Sequence, residues 1–121
     1  MVEKLIKKEL SFTKLIVKVQ KVGKDLLVVI EGGDKPHIGC TVLSIPRDSL
    51  KTAGRISCTS SVINITGHKD EEICRYIAEA VCRSKHAVTV CTGGFHVENI
   101  TEEQLKEVLE VIPEIILEIL E

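Results

Sequence analysis

Three of the four histidines share one local setting: His37 follows Gly32-Gly33, His68 follows Gly67, and His96 follows Gly93-Gly94. Glycine admits backbone conformations closed to other residues and lets a ligand approach the main chain closely. Each histidine stands where a strand-like run gives way to a loop, and loops at strand ends are where a rigid scaffold presents functional groups. Two lysines join them, Lys35 within Gly33-Asp34-Lys35-Pro36-His37 and Lys69 directly after His68. The segment at Lys69 also opens a helix, whose first free N–H groups and positive dipole end form a ready anion site. If these loops converge, the chemistry they suit is the binding of a phosphate or a carboxylate. Taken singly, each loop reads first as a plain turn with solvated side chains, and it is the repetition of Gly with His in three loops that points to a site.

Other chemistries fit the residues less well. Three histidines form the ligand set of several zinc enzymes, but such sites commonly bring tight i, i+2 or i, i+4 spacing, and here the three are far apart. Asp34, Glu98 and Asn99 are the nearby groups able to complete or support such a set. For a nucleophile, Cys40 and Cys91 lie close in sequence to His37 and His96. Both sit in apolar runs, where burial raises the thiol pKa, and no Gly-x-Ser-x-Gly elbow is present. The five cysteines are odd in number and contain no Cys-x-x-Cys pair, so they read as free thiols that pack as small hydrophobes. No catalytic residue and no metal site is assigned; the expectation is binding.

The elements that must position these loops follow from periodicity. Two β-branched runs, 15–19 and 26–30, flank the turn-compatible Lys21-Val22-Gly23-Lys24-Asp25 and predict a β-hairpin. After the break at 32–37 comes a strand over 38–45, stopped by Pro46, then a polar connector over 47–54. Alternation predicts a strand over 55–66, with Thr59, Ser60, Ser61 and Thr66 on a solvent-facing side. Ile73, Ile77, Ala80, Val81 and Ser84 recur at helical steps and, with Asp70, Glu71 and Glu72 in the first turn, predict an amphipathic helix over 69–84. A short central strand over 87–91 ends at a second glycine-rich break, 92–96. Thr101 and Gln104 make a capping-box signature before the stripe Leu105, Val108, Leu109, Ile112, Ile115, Ile116 and Ile119. Pro113 falls inside that last helix and predicts a bend or break there, and the apolar stretch beyond it packs on the sheet or covers a second subunit.

These elements sum to an α+β fold, a multistranded, mainly antiparallel sheet packed with two helices, as one domain over residues 1–121. The length of 121 residues is enough for one core, built from Val, Ile and Leu because the chain has two Phe, one Tyr and no Trp. That scarcity of rings, with a formal net charge of -2, argues against nucleic-acid binding. No run is apolar enough for a membrane helix and the first ten residues lack a signal-peptide core, so the expectation is a soluble, cytoplasmic protein that engages neither nucleic acid nor membrane.

The loops also carry a family resemblance. Gly32-Gly33-Asp34-Lys35-Pro36-His37-Ile38-Gly39, then Gly67-His68-Lys69-Asp70, then Gly94-Phe95-His96-Val97-Glu98-Asn99 match in order and spacing. They resemble the prenylated flavin chaperone-like domain, small accessory subunits associated with UbiD-type aromatic-acid decarboxylases and similar in fold to proteasome assembly chaperones. The resemblance spans roughly residues 26–109. It implies an accessory protein that holds or delivers prenylated flavin mononucleotide, or flavin mononucleotide itself, to a UbiD-type decarboxylase, and it implies a homodimer. Gly32, Gly33, Asp34, Lys35, His37, Gly67, His68, Lys69, Gly94, His96 and Asn99 are then the candidate cofactor-binding residues. Phe95, Phe12 and Tyr76 are the few rings able to stack on a flavin. The competing reading is a homodimeric assembly or interaction module without a small ligand; a metal-dependent enzyme using His37, His68 and His96 is the third.

Overall fold

A computed structural model describes residues 3–65 and 68–121, without the side chains of His68 and Lys69. The elements run β1 (Lys4–Glu9), β2 (Lys14–Val22), β3 (Asp25–Gly33), β4 (Cys40–Asp48), β5 (Ile56–Asn64), α1 (His68–Lys85), β6 (Thr89–His96) and α2 (Glu102–Leu120). The six strands form one sheet in the order β1-β2-β3-β6-β4-β5. Every neighbouring pair is antiparallel except β3 and β6, which run parallel at the centre. The fold class is α+β, as the periodicity implies.

Both helices cover one face of the sheet. Strand residues alternate between faces, so Leu15, Val17, Val28, Ile30, Val42 and Cys91 point into a core closed by Ile73, Ile77 and Val81 of α1 and by Val108, Ile112 and Ile115 of α2. The predicted hairpin forms, with Val22 paired to Asp25 across Gly23-Lys24 and Gly23 at φ 62. The capping box also forms: Thr101 Oγ1 accepts from the Gln104 N–H at 3.1 Å and Gln104 Oε1 accepts from the Thr101 N–H at 3.0 Å.

Several expectations are corrected. β1 is a strand that the first ten residues do not announce, because an edge strand dominated by Lys4, Lys7, Lys8 and Glu9 reads as a charged terminus. Its Lys8 pairs with Glu118 and ties the edge to α2. β4 continues through Pro46: β6 stops pairing with β4 at Ser44, so from Ile45 one side of β4 has no neighbour and the missing proline donor costs little. The second glycine-rich segment is not a break, since β6 runs through Thr92-Gly93-Gly94-Phe95-His96. In β5 the predicted solvent-facing serines and threonines divide. Ser60 faces α1, where its Oγ donates to Glu79 at 2.6 Å and lies 2.8 Å from Ser44 Oγ. Thr59 accepts from Arg47 on the opposite side, and Thr66 lies outside the described residues.

α2 is one continuous helix across Pro113. Pro113 and Leu109 are both exposed, so the carbonyl four residues back, which lacks its donor, is open to water. The stripe of α2 is buried in the chain's own core, with Val111 in it and Leu109 out of it.

Candidate functional site

The parallel pairing of β3 with β6 is what gathers the loops. Their register sets Gly32 opposite Phe95 and Gly33 opposite His96, so the chain leaves both strands at the same end of the sheet. β4 starts and β5 ends at that same end, with Cys40 opposite Asn64 and the Ile65 N–H donating to the Gly39 carbonyl at 2.9 Å. The first turn of α1 follows at once. The segments that carry His37 and His96 therefore meet at this end of the sheet. Ligand crevices recur at the C-terminal ends of parallel strands for this reason.

The best-ordered group there is the pair His37 and Asp70. Asp70, 6% exposed, reaches from the first turn of α1 to two other elements. Its Oδ1 accepts from the Phe95 N–H of β6 at 3.0 Å and its Oδ2 lies 3.2 Å from His37 Nε2. A carboxylate in a helix's first turn is favoured by the dipole, and the two partners compensate its burial. The other ring nitrogen of His37, Nδ1, is 3.2 Å from the Lys35 carbonyl. Both ring nitrogens thus face oxygen atoms, and the His37 ring is held between them with one edge exposed.

Glycine is required beside it. A Cβ on Gly94 would stand 2.9 Å from His37 Cε1 and 3.0 Å from the His37 carbonyl, closer than side chains pack. A Cβ on Gly39 would meet the Asp70 carboxylate and stand 2.9 Å from His37 Nε2. These two positions keep the seat of the imidazole open.

Of the remaining candidates, Gly32 and Gly33 close β3, and the Asp34 N–H donates to the His96 carbonyl at 2.7 Å. Asp34 Oδ2 accepts from the Glu98 N–H at 3.3 Å, so Asp34 ties one loop to the other. Lys35 is exposed at the rim. His96 lies edge-to-face with His37, ring centres 6.4 Å apart, and its Nε2 is 3.5 Å from Glu98 Oε1. Asn99 is exposed with φ 54, the left-handed turn conformation that asparagine tolerates. His68 and Lys69 open α1, but their side chains and Gly67 lie outside the described residues. Among the described residues no group of three or more His, Cys, Asp or Glu is arranged to hold a metal ion.

Two hollows flank this edge. One, about 250 Å³, opens on the sheet face away from the helices, between Lys18, Val29, Pro36, His37, Ile38 and Gly93. The other, about 160 Å³, is on the helix side, between Asp70, Ile73, Phe95, His96, Ile100 and Leu105. Phe95 and Phe12 meet edge-to-face at 6.3 Å and pack against the core; Tyr76 is exposed on α1.

Beneath the site lie Cys40, Cys74 and Cys91, all buried. Burial, with Cys74 and Glu71 nearby, pushes the Cys40 thiol up to about 12. Hydrogen bonding to Cys74, followed by burial, raises that of Cys91. Such thiols stay protonated and are unfit as nucleophiles. Asp70 is the candidate-site residue that loop chemistry passes over: it reads as an ordinary first-turn acid, and the one sign of more is its place directly after Gly67-His68-Lys69.

Comparison with known proteins identifies the family. Residues 10–121 match the family model of the prenylated flavin chaperone LpdD-like domain. Protein LpdD of Lactiplantibacillus plantarum is 33% identical over 89 residues, covering 72% of this chain. The match spans 60% of that relative's length. A solved chaperone complex for yeast 20S proteasome assembly contains a chain of the same fold, with TM-score 0.53 and 14% identity over 99% of this chain and 94% of that one. The chain belongs to the prenylated flavin chaperone LpdD-like family.

Proposed function

We propose, with membership of this family as the premise, that the protein binds prenylated flavin mononucleotide, or flavin mononucleotide, and delivers it to a UbiD-type decarboxylase. The flavin is cargo here, so the protein's work is to bind, orient and release it. The observation that carries this reading is the seating of the His37 ring against Asp70 and Gly94, beside the exposed Lys35, where β3 and β6 end together. Lys35 presents charge at the loop rim and suits the phosphate, and the His37 ring, fixed by Asp70, lines the same rim. Val29, Pro36 and Ile38 supply apolar wall beside Lys18 for the ring system. Lys18 is paired to Glu31 at 2.8 Å, which leaves Lys35 as the cation at the rim for an incoming anion. Described helices include none long and apolar enough to cross a membrane, which is consistent with work in the cytoplasm.

Release to a partner requires that the grip be moderate, and an exposed rim favours that. The test is calorimetric titration with prenylated flavin mononucleotide, flavin mononucleotide and inorganic phosphate. Saturable, prenyl-selective binding supports the reading, and absence of binding by both flavins refutes it.

A second reading, a homodimeric assembly module, is favoured by one observation. The sheet face opposite the helices carries Ile16, Leu27, Val29, Leu43, Ile45 and Val90, and the strand register sets Leu27, Val90 and Leu43 side by side across β3, β6 and β4. An apolar sheet side suits a second copy of the chain, and a cofactor hollow opening on the same face would then lie beside the subunit boundary. Light scattering decides it: a strict monomer removes this reading and leaves cofactor binding standing.

A further inference from the structure

A third hollow, a cleft of about 450 Å³, lies at the opposite end of the sheet. It is lined by Ser49, Lys51, Thr52, Arg55, Ser57 and Arg83, with Ile56 at its base. β4 spans the distance between the two ends, from Cys40 to Asp48, which at ~3.3 Å per residue is roughly 26 Å.

Three cations thus surround one cavity, and no carboxylate lines it. Among the described residues, Lys51, Arg55 and Arg83 form no ion pair. Glu79, one turn before Arg83 on α1, is engaged by Ser60, and Arg83 Nη1 approaches only Cys58 Sγ at 3.6 Å. In a chain whose formal net charge is -2, such a cluster repels itself unless an anion from outside occupies it. Its loop is also held in place. The Ser49 N–H donates to the Arg55 carbonyl at 2.8 Å, and Ser49 Oγ accepts from the Lys51 and Thr52 N–H groups at 3.2 and 3.1 Å. Planar guanidinium groups and hydroxyl donors around one open volume match a multiply charged oxyanion.

We infer that this cleft is a second binding site, distinct from the flavin site, for a phosphate-bearing small molecule. Three cations without aromatic neighbours are too few to track a nucleic-acid strand.

The test is a titration of the intact protein with inorganic pyrophosphate at constant ionic strength, followed by amide NMR. Saturable shifts confined to Ser49, Lys51, Thr52, Arg55 and Ser57 are expected. Arg55→Gln and Arg83→Gln should each weaken binding roughly threefold to tenfold, while Lys106→Gln, which removes an equal charge from α2, should not change it. Shifts that follow sodium chloride alone, that persist unchanged in both arginine variants, or that fall only at Gly33–His37 would overturn the inference. Since the cofactor reading is tested at His37, failure here leaves that reading intact.

Discussion

Replacing Asp70 with alanine should separate the framework of the site from its surface. Asp70 is nearly buried and accepts the Phe95 N–H at 3.0 Å while lying 3.2 Å from His37 Nε2. A hydrogen bond to a charged group contributes about 1.5–3 kcal/mol, and a buried donor left unpaired costs about 1–3 kcal/mol. The dipole adds about 0.3–1 kcal/mol for an acid in the first turn. These contributions overlap, so the net cost expected for Asp70→Ala is about 2–4 kcal/mol. With a urea dependence of about 2 kcal/mol per molar, the unfolding midpoint should fall by roughly 1–2 M. Asp70→Asn keeps an oxygen for Phe95 but gives up the charge facing His37, so its midpoint should fall by roughly 0.5 M, a cost of about 1 kcal/mol. Flavin affinity should drop in both variants because His37 loses its anchor. An alanine variant as stable as the parent, or an asparagine variant as damaged as alanine, would refute the reasoning.

Gly94→Ala should push the His37 ring aside and destabilise the protein by about 1–3 kcal/mol, with loss of flavin binding; unchanged melting and unchanged affinity would show that the ring does not depend on that space. Native protein should react with a thiol reagent at Cys58 alone, since Cys40, Cys74, Cys82 and Cys91 are buried, and rapid labelling of more than one thiol would contradict the burial. Alkali should destabilise the fold. The unfolded Cys40 thiol ionises near its ordinary value of 9.0, whereas burial holds the native thiol near 12, so the unfolded state loses its proton first as pH rises. Stability should therefore decline progressively above about pH 9, and Cys40→Ala should flatten that decline; equal slopes for the two proteins would count against it.

Much of the fold is legible in local pattern. The hairpin, α1 and the capping box of α2 follow from turn residues and helical spacing, because those interactions connect residues close in sequence. β1 is hidden because its lysines suit an edge strand as well as a disordered end. The glycines of β6 read as a loop because nothing nearby in sequence reveals that a histidine from another segment lies against Gly94. The same holds for the site. The repeated pairing of glycine with histidine singles out His37 and His96, but their meeting depends on the parallel pairing of β3 with β6, strands separated by β4, β5 and α1. Asp34 shows the same dependence, since the Glu98 N–H its carboxylate accepts from lies 64 residues further along the chain.

The most direct test of the account is an amide NMR titration with prenylated flavin mononucleotide, comparing the parent protein with His37→Ala. Saturable shifts centred on Gly33 to His37 and Gly93 to His96, lost or greatly weakened in the variant, are the predicted result. Binding of undiminished affinity in the variant, or shifts lying elsewhere in the molecule, would contradict it.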